Sequence, residues 1–99
     1  MTLKEAVKEV IRQNISAGYN PIIFFYATRN GEADNLKEII SRMVLNDELL
    51  EELEKAIEKY KEPVTIEDLI AKEKDGFGLS DEVIEKAEAR SKWFDQLRK

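Results

Sequence analysis

Apolar residues recur at helical spacing along most of the chain. Leu3, Val7, Val10, Ile11 and Ile15 fall three and four positions apart and share one helical face. In front of them Thr2-x-x-Glu5 forms a capping box, the hydroxyl accepting from an early amide while the Glu reaches back to the cap amide. Gly18 supplies a left-handed residue to end that helix. A second stripe, Leu36, Ile39, Ile40 and Met43, predicts a helix from about Asp34 to Leu45. Asn46 then caps a third, with Leu45 and Leu50 set as a hydrophobic staple. Its inner face is Leu49, Leu50, Leu53, Ala56, Ile57 and Tyr60, and Pro63 forbids continuation. Thr65 with Asp68 caps a short helix through Leu69 and Ile70, ending at the turn Asp75-Gly76-Phe77-Gly78. The last helix begins at Ser80, with Asp81 and Glu82 at its positive end. It buries Ile84, Ala87, Phe94 and Leu97, with Val83 and Trp93 as further candidates.

One segment breaks the helical rhythm. Pro21 to Thr28 is β-branched and aromatic, apolar on both faces, and opens on Pro, which predicts a strand covered on both sides. Arg29-Asn30-Gly31 ends it. Asn-Gly is a strong hairpin signal, but Glu32 to Asn35 is poor strand material, so a turn into a helix is preferred. A single buried strand needs partners for its amides and carbonyls. Val64-Thr65-Ile66 is the other β-branched run and offers one; the same strand of a second copy, across a two-fold axis, offers another. The third alternative is that the segment is a buried helical or extended stretch. The resulting fold class is α+β, predominantly helical, with about five helices around one or two short strands in a single compact domain spanning residues 1–99.

Composition then narrows the chemistry. The chain has no His and no Cys, which removes imidazole bases, thiolate nucleophiles, disulfides and Cys-ligated metal. Glu and Lys dominate a charged fraction of 37%, well above the usual ~25%. Together with only two Gln, that is the pattern of proteins from hot environments, although five Asn run against it. The first turn is charged, so no signal peptide is expected, and the longest apolar run is far too short to span a bilayer. A soluble, intracellular protein without membrane contact is expected. Asn14-Ile15-Ser16 matches a glycosylation acceptor only formally, because it falls inside a predicted helix.

No motif for catalysis emerges. There is no Gly-x-Ser-x-Gly elbow and no Ser-x-x-Lys pair, so no enzyme, no catalytic residue and no cofactor is assigned. Glu51, Glu54 and Glu58 share a helical face, but one helix brings too few oxygen ligands for a cation and reads better as a solvated face. The Asp75-Gly76-Phe77-Gly78 turn lacks the Lys and Ser/Thr of a phosphate loop; Gly76 as helix terminator and Phe77 as core plug explain it. Arg29 to Glu32 is where a site would most naturally sit, and turn propensity alone accounts for it.

What remains points to partners. Of the eight aromatics, Tyr19, Phe24, Phe25 and Tyr26 lie within eight residues, and any left exposed would form an interaction hot spot. The net charge of −5 divides into +2 over residues 1–30 and −7 over the rest, while the segment from Lys86 onward is locally basic. There Lys86, Arg90, Lys92, Arg98 and Lys99 interleave with Trp93 and Phe94, a pattern that could grip phosphates or stack bases. The acidic overall balance argues against nucleic acid as the principal partner. The candidate partner contacts are therefore Tyr19, Tyr26, Arg29, Arg90, Trp93 and Arg98, for a protein partner that includes a second copy of the chain.

The run YNPIIFFYATRNGEADN (Tyr19 to Asn35), the length of 99 residues and the Glu/Lys-rich helices together resemble a small orphan protein of filamentous and rod-shaped viruses of hyperthermophilic, acidophilic archaea. The resemblance implies a viral accessory protein acting inside the host cell through macromolecular contacts. It brings no catalytic pattern to match.

Overall fold

Local capping chemistry sets the helix boundaries. In the computed structural model, which describes residues 1–47, 50–61 and 63–99, α1 spans Leu3–Ser16, α2 Ile22–Thr28, α3 Leu36–Leu45, α4 Leu50–Tyr60, α5 Ile66–Glu73 and α6 Asp81–Arg98. Short 3₁₀ turns occupy Arg29–Gly31 and Lys74–Phe77. The Thr2 hydroxyl accepts from the Glu5 amide at 3.1 Å and the Glu5 carboxylate accepts from the Thr2 amide at 2.9 Å. Thr65 and Asp68 form the same reciprocal pair at the start of α5, and Ser80 accepts from the Val83 amide at the start of α6. Gly18, at φ +91°, releases the chain from α1 in the left-handed region.

The stripes meet in one cluster. Ala6, Val7, Val10 and Ile11 of α1 pack with Leu36, Ile40 and Val44 of α3, with Ile66 and Ile70 of α5, and with Val83, Ile84 and Ala87 of α6. Phe77 closes one end as a plug. Helices α5 and α6 share the most extensive contact, whereas α4 packs chiefly on α6. Ala56, Ile57 and Phe94 are buried outside the main cluster.

The α+β expectation is wrong. Among the described residues there is no strand, and the fold is all-helical, with six α-helices. The segment expected as a strand is α2, and Val64-Thr65-Ile66 supplies the approach, the cap and the first residue of α5. The reason lies in the backbone. A lone strand leaves its amides and carbonyls unpaired, whereas a helix pairs them internally, and that outweighs the β preference of Ile, Phe and Tyr. Pro21 suits a helix start, where its missing N–H is not needed, and its carbonyl accepts from the Phe25 amide at 2.8 Å. Asn46 closes α3 as its C-cap. The next helix therefore does not open at Asn46 and Asp47 as expected, and α4 is described from Leu50; Leu49, expected in its core face, lies with Glu48 and Glu62 outside the described residues.

Between α2 and α3 the chain reverses through three successive positive φ values, at Arg29, Asn30 and Gly31. Gly31 is buried, and a Cβ placed there would meet the Lys4 carbonyl of α1 at 3.0 Å. Lys4 and Lys8 of α1 both pair with Glu32 just beyond, at 2.9 and 3.0 Å. Gly31→Ala is expected to cost roughly 1–3 kcal/mol in urea unfolding, because Ala is strained at positive φ and lacks space. Gly76→Ala, at a glycine without positive φ and facing only the flexible Glu73 side chain, should leave stability nearly unchanged.

Candidate functional site

Helix α2 is unusual in where its apolar residues point. Only Phe24 and Thr28 turn inward; Thr28 is fully buried and its hydroxyl donates to the Phe24 carbonyl at 2.7 Å. Ile22, Ile23, Phe25 and Tyr26 remain 54%, 49%, 37% and 73% exposed. Phe25 and Tyr26 meet edge to face, with ring centroids 5.5 Å apart. A seven-residue helix without a single charge thus displays four large apolar side chains side by side.

Behind α2 a cavity of about 400 Å³ separates it from α4. Val10, Phe24, Met43, Leu53, Ala56, Ile57 and Ile66 make it apolar, and Asn14, Thr65, Glu67 and Arg90 add polar wall. Its volume falls within the usual ~300–1,000 Å³ of small-molecule pockets. A sealed, dry void of 400 Å³ would cost on the order of 10 kcal/mol at roughly 24 cal/mol per Å³, as much as a whole domain's stability. The space is not sealed: Asn20, Ile22, Ile23 and Glu52 border it and are exposed to solvent. Tyr19 also borders it and stacks at a tilt on Tyr60, ring centroids 5.6 Å apart. Burial raises the Tyr19 phenol above its ordinary pKa, with Glu52 and Tyr60 adding to the effect. Asn14, on the buried face of α1, donates to the carbonyls of Val10 and Val64 and so ties α1 to the entry of α5.

The deep wall of the cavity carries the main charge cluster. Arg90 of α6 is only 5% exposed. Its Nη1 donates to the Met43 carbonyl at 3.0 Å and to the Glu67 carboxylate at 3.2 Å; its Nη2 donates to the Asn46 carbonyl at 3.0 Å and to Asp47 at 2.6 Å. Lys86 stands 3.6 Å from Asp47. Burial raises the Glu67 carboxyl above its ordinary range, with Arg90 acting against it. The Arg90 hydrogen bond and Lys86 lower Asp47. A second cluster fixes the end of α6: Arg98 donates to Asp68 at 2.6 Å, to Asp95 at 2.8 Å and to the Pro63 carbonyl at 2.8 Å.

The six residues expected as partner contacts are thereby scattered. Arg90 is no surface contact, because its guanidinium is committed inside the chain, and most of Arg98 is likewise occupied. Trp93 is 46% exposed, with its indole N–H donating to Glu54 of α4 at 2.8 Å. Tyr26 and Arg29 stand exposed on and beside α2, and Tyr19 is half-buried at the cavity. The sequence reading missed Asn14, Glu67 and Arg90 as buried polar residues. Their signal was positional: Val83, Ala87, Arg90 and Phe94 run at spacings of four, three and four, and Asn14 continues the Val7, Val10 stripe. Among the described residues no group of three or more acidic side chains could hold a metal ion, and no described helix is long and apolar enough to cross a membrane.

No protein-family model, no curated protein and no solved structure matches the chain.

Removing Arg90 leaves the Glu67 carboxylate buried without its partner. Arg90→Met is expected to cost about 3–5 kcal/mol in chemical denaturation, whereas Lys92→Ala on the exposed side of the same helix should stay within ±0.5 kcal/mol. A raised native pKa means that the folded state holds the Glu67 proton more tightly than the unfolded chain. Stability from this group is thus fully present below about 4.5 and declines as pH rises towards the native value. The Arg90→Met penalty should therefore grow with pH, and adding Glu67→Leu should recover much of it.

Proposed function

We propose that this protein is a small interaction protein that acts through protein–protein contacts, by binding and not by catalysis, with the outward face of α2 as its contact surface. The observation that carries this reading is the exposure of Ile22, Ile23, Phe25 and Tyr26 together on one short, uncharged helix. Clustered apolar exposure of this kind marks interaction sites on soluble proteins, and aromatic residues are enriched at such interfaces. A helix of seven residues does not hold itself together in water, so α2 is displayed by its surroundings. Phe24 packed against the core, the buried Thr28 and the Lys4/Lys8–Glu32 bridges just beyond hold it on the body. Such a surface suits the contact-based accessory role that the resemblance implies.

The first partner to test is a second copy. The face of α2 carries no charge to repel itself. An antiparallel two-fold pairing brings the exposed Arg29 at one end of α2 towards the opposite end of the other copy's helix, where Glu52 borders Ile22 and Ile23. No comparable support exists for nucleic acid at the basic end of α6. Lys86, Arg90 and Arg98 there already pair with Asp47, Glu67, Asp68 and Asp95.

Sedimentation equilibrium should give a dimer mass at micromolar concentration, reduced to monomer by Tyr26→Lys and by Ile23→Lys. Both variants replace exposed side chains, so unfolding free energies of the monomer should move by no more than about 0.5 kcal/mol. A wild type that stays monomeric up to millimolar concentration, with solubility unaffected by either substitution, would overturn the reading.

A further inference from the structure

Apart from the outer face of α2, the chain has a second apolar feature, the cavity behind it. Its apolar walls come from five helices, α1 to α5, and the segment before α5, so filling it joins the stripe of α4 to the main core, from which Ala56 and Ile57 are otherwise separated. Arg90 forms part of the wall, and its Nε is a buried donor without a hydrogen-bond partner among the described residues. All the other nitrogens of that guanidinium are engaged. Where the cavity reaches solvent it is bordered by Asn20 and Glu52, an amide and an acid, with no Lys or Arg among those exposed border residues. On the inner side Glu67, also in the lining, already faces Arg90. An anionic ligand would thus pass the Glu52 carboxylate and arrive beside that of Glu67.

We infer that the cavity is a binding site for an elongated, uncharged apolar molecule, a hydrocarbon chain bearing a neutral oxygen acceptor such as an alcohol or ketone. The chain lies against Phe24, Leu53, Ala56 and Ile57, and the oxygen accepts from the spare N–H of Arg90 after a small adjustment of that side chain. Ligand enclosure between helices of a bundle is a common solution for such molecules, and shape with one placed polar group gives the specificity. The cavity shares Ile22 and Ile23 with the α2 contact surface at its border, but Tyr26 lies outside its lining, so Tyr26→Lys tells the two sites apart.

The test uses the full chain with 1-decanol, kept below its aqueous solubility, and, as the charged counterpart, decanoate, kept below its micellar range. Calorimetry should show saturable binding of decanol at one per chain, with shifts of the Ile57 and Val10 methyl resonances. Decanoate should bind more weakly. Ala56→Phe and, as a second filler, Leu53→Trp should abolish binding while far-UV circular dichroism stays helical; one folded filler variant suffices. Absence of saturable decanol binding, binding unchanged in a folded filler variant, or preference for decanoate would each overturn the assignment. So would loss of binding in Tyr26→Lys with no methyl shift at Ile57, which would move the chain to the outer face of α2.

Discussion

The arrangement of the helices depends on one guanidinium. Arg90 reaches from the middle of α6 to the two carbonyls at the end of α3, at Met43 and Asn46, and to the first turn of α5 at Glu67. The last carbonyls of a helix lack partners of their own, and the negative end of the helix dipole favours a cation there. Arg90 answers both needs. A buried ion pair contributes little net stability, because desolvation offsets most of the attraction. Its effect is on uniqueness: few placements of α3 and α5 against α6 satisfy four donors at once. The Asp47 carbonyl accepts from the Leu50 amide at the start of α4 at 3.1 Å, so the residue that Arg90 holds is also tied to α4.

What the sequence disclosed and what it hid divide along a physical line. Caps and stripes are local, and Thr2-x-x-Glu5, Thr65 with Asp68, Ser80 and Gly18 all act where their chemistry put them. Residues 22–28 offered no period to read, because apolar side chains on every face fit a covered strand and a helix equally. The competition was decided by backbone pairing, which depends on whether a partner strand exists elsewhere. Arg90 and Glu67 were hidden for the opposite reason. Their spacing placed them on buried stripes, but a charged residue is so seldom buried alone that each looked like surface until the other was seen beside it.

Helix α2 joins the two apolar features. Its inner residue Phe24 lines the cavity and packs against the core, while Phe25 and Tyr26 beside it face solvent. The backbone around it is built to hold this position: three positive φ values turn the chain after Thr28, and Gly31 lets α1 approach to contact distance. Those conformations cost energy that a plain loop would avoid. They deliver a short helix pressed to the body by one face, with the other left bare.

On the far side of the cavity α4 is tied differently. Among the described residues it packs chiefly on α6, with the Trp93 indole donating to Glu54, and it shares no comparably extensive contact with α1 or α2. One wall of the cavity therefore belongs to the α1–α2 side and the other to α6. The tilted stack of Tyr19, ahead of α2, on Tyr60 of α4 spans the entry, while at the base Arg90 joins α6 to α3 and α5. Aromatic stacking at a half-exposed edge is worth only about 0.5–1.5 kcal/mol, less than the roughly 3–5 kcal/mol that breaking the Arg90 pair costs. The Tyr19–Tyr60 edge is therefore the weaker of the two contacts at the ends of the cavity.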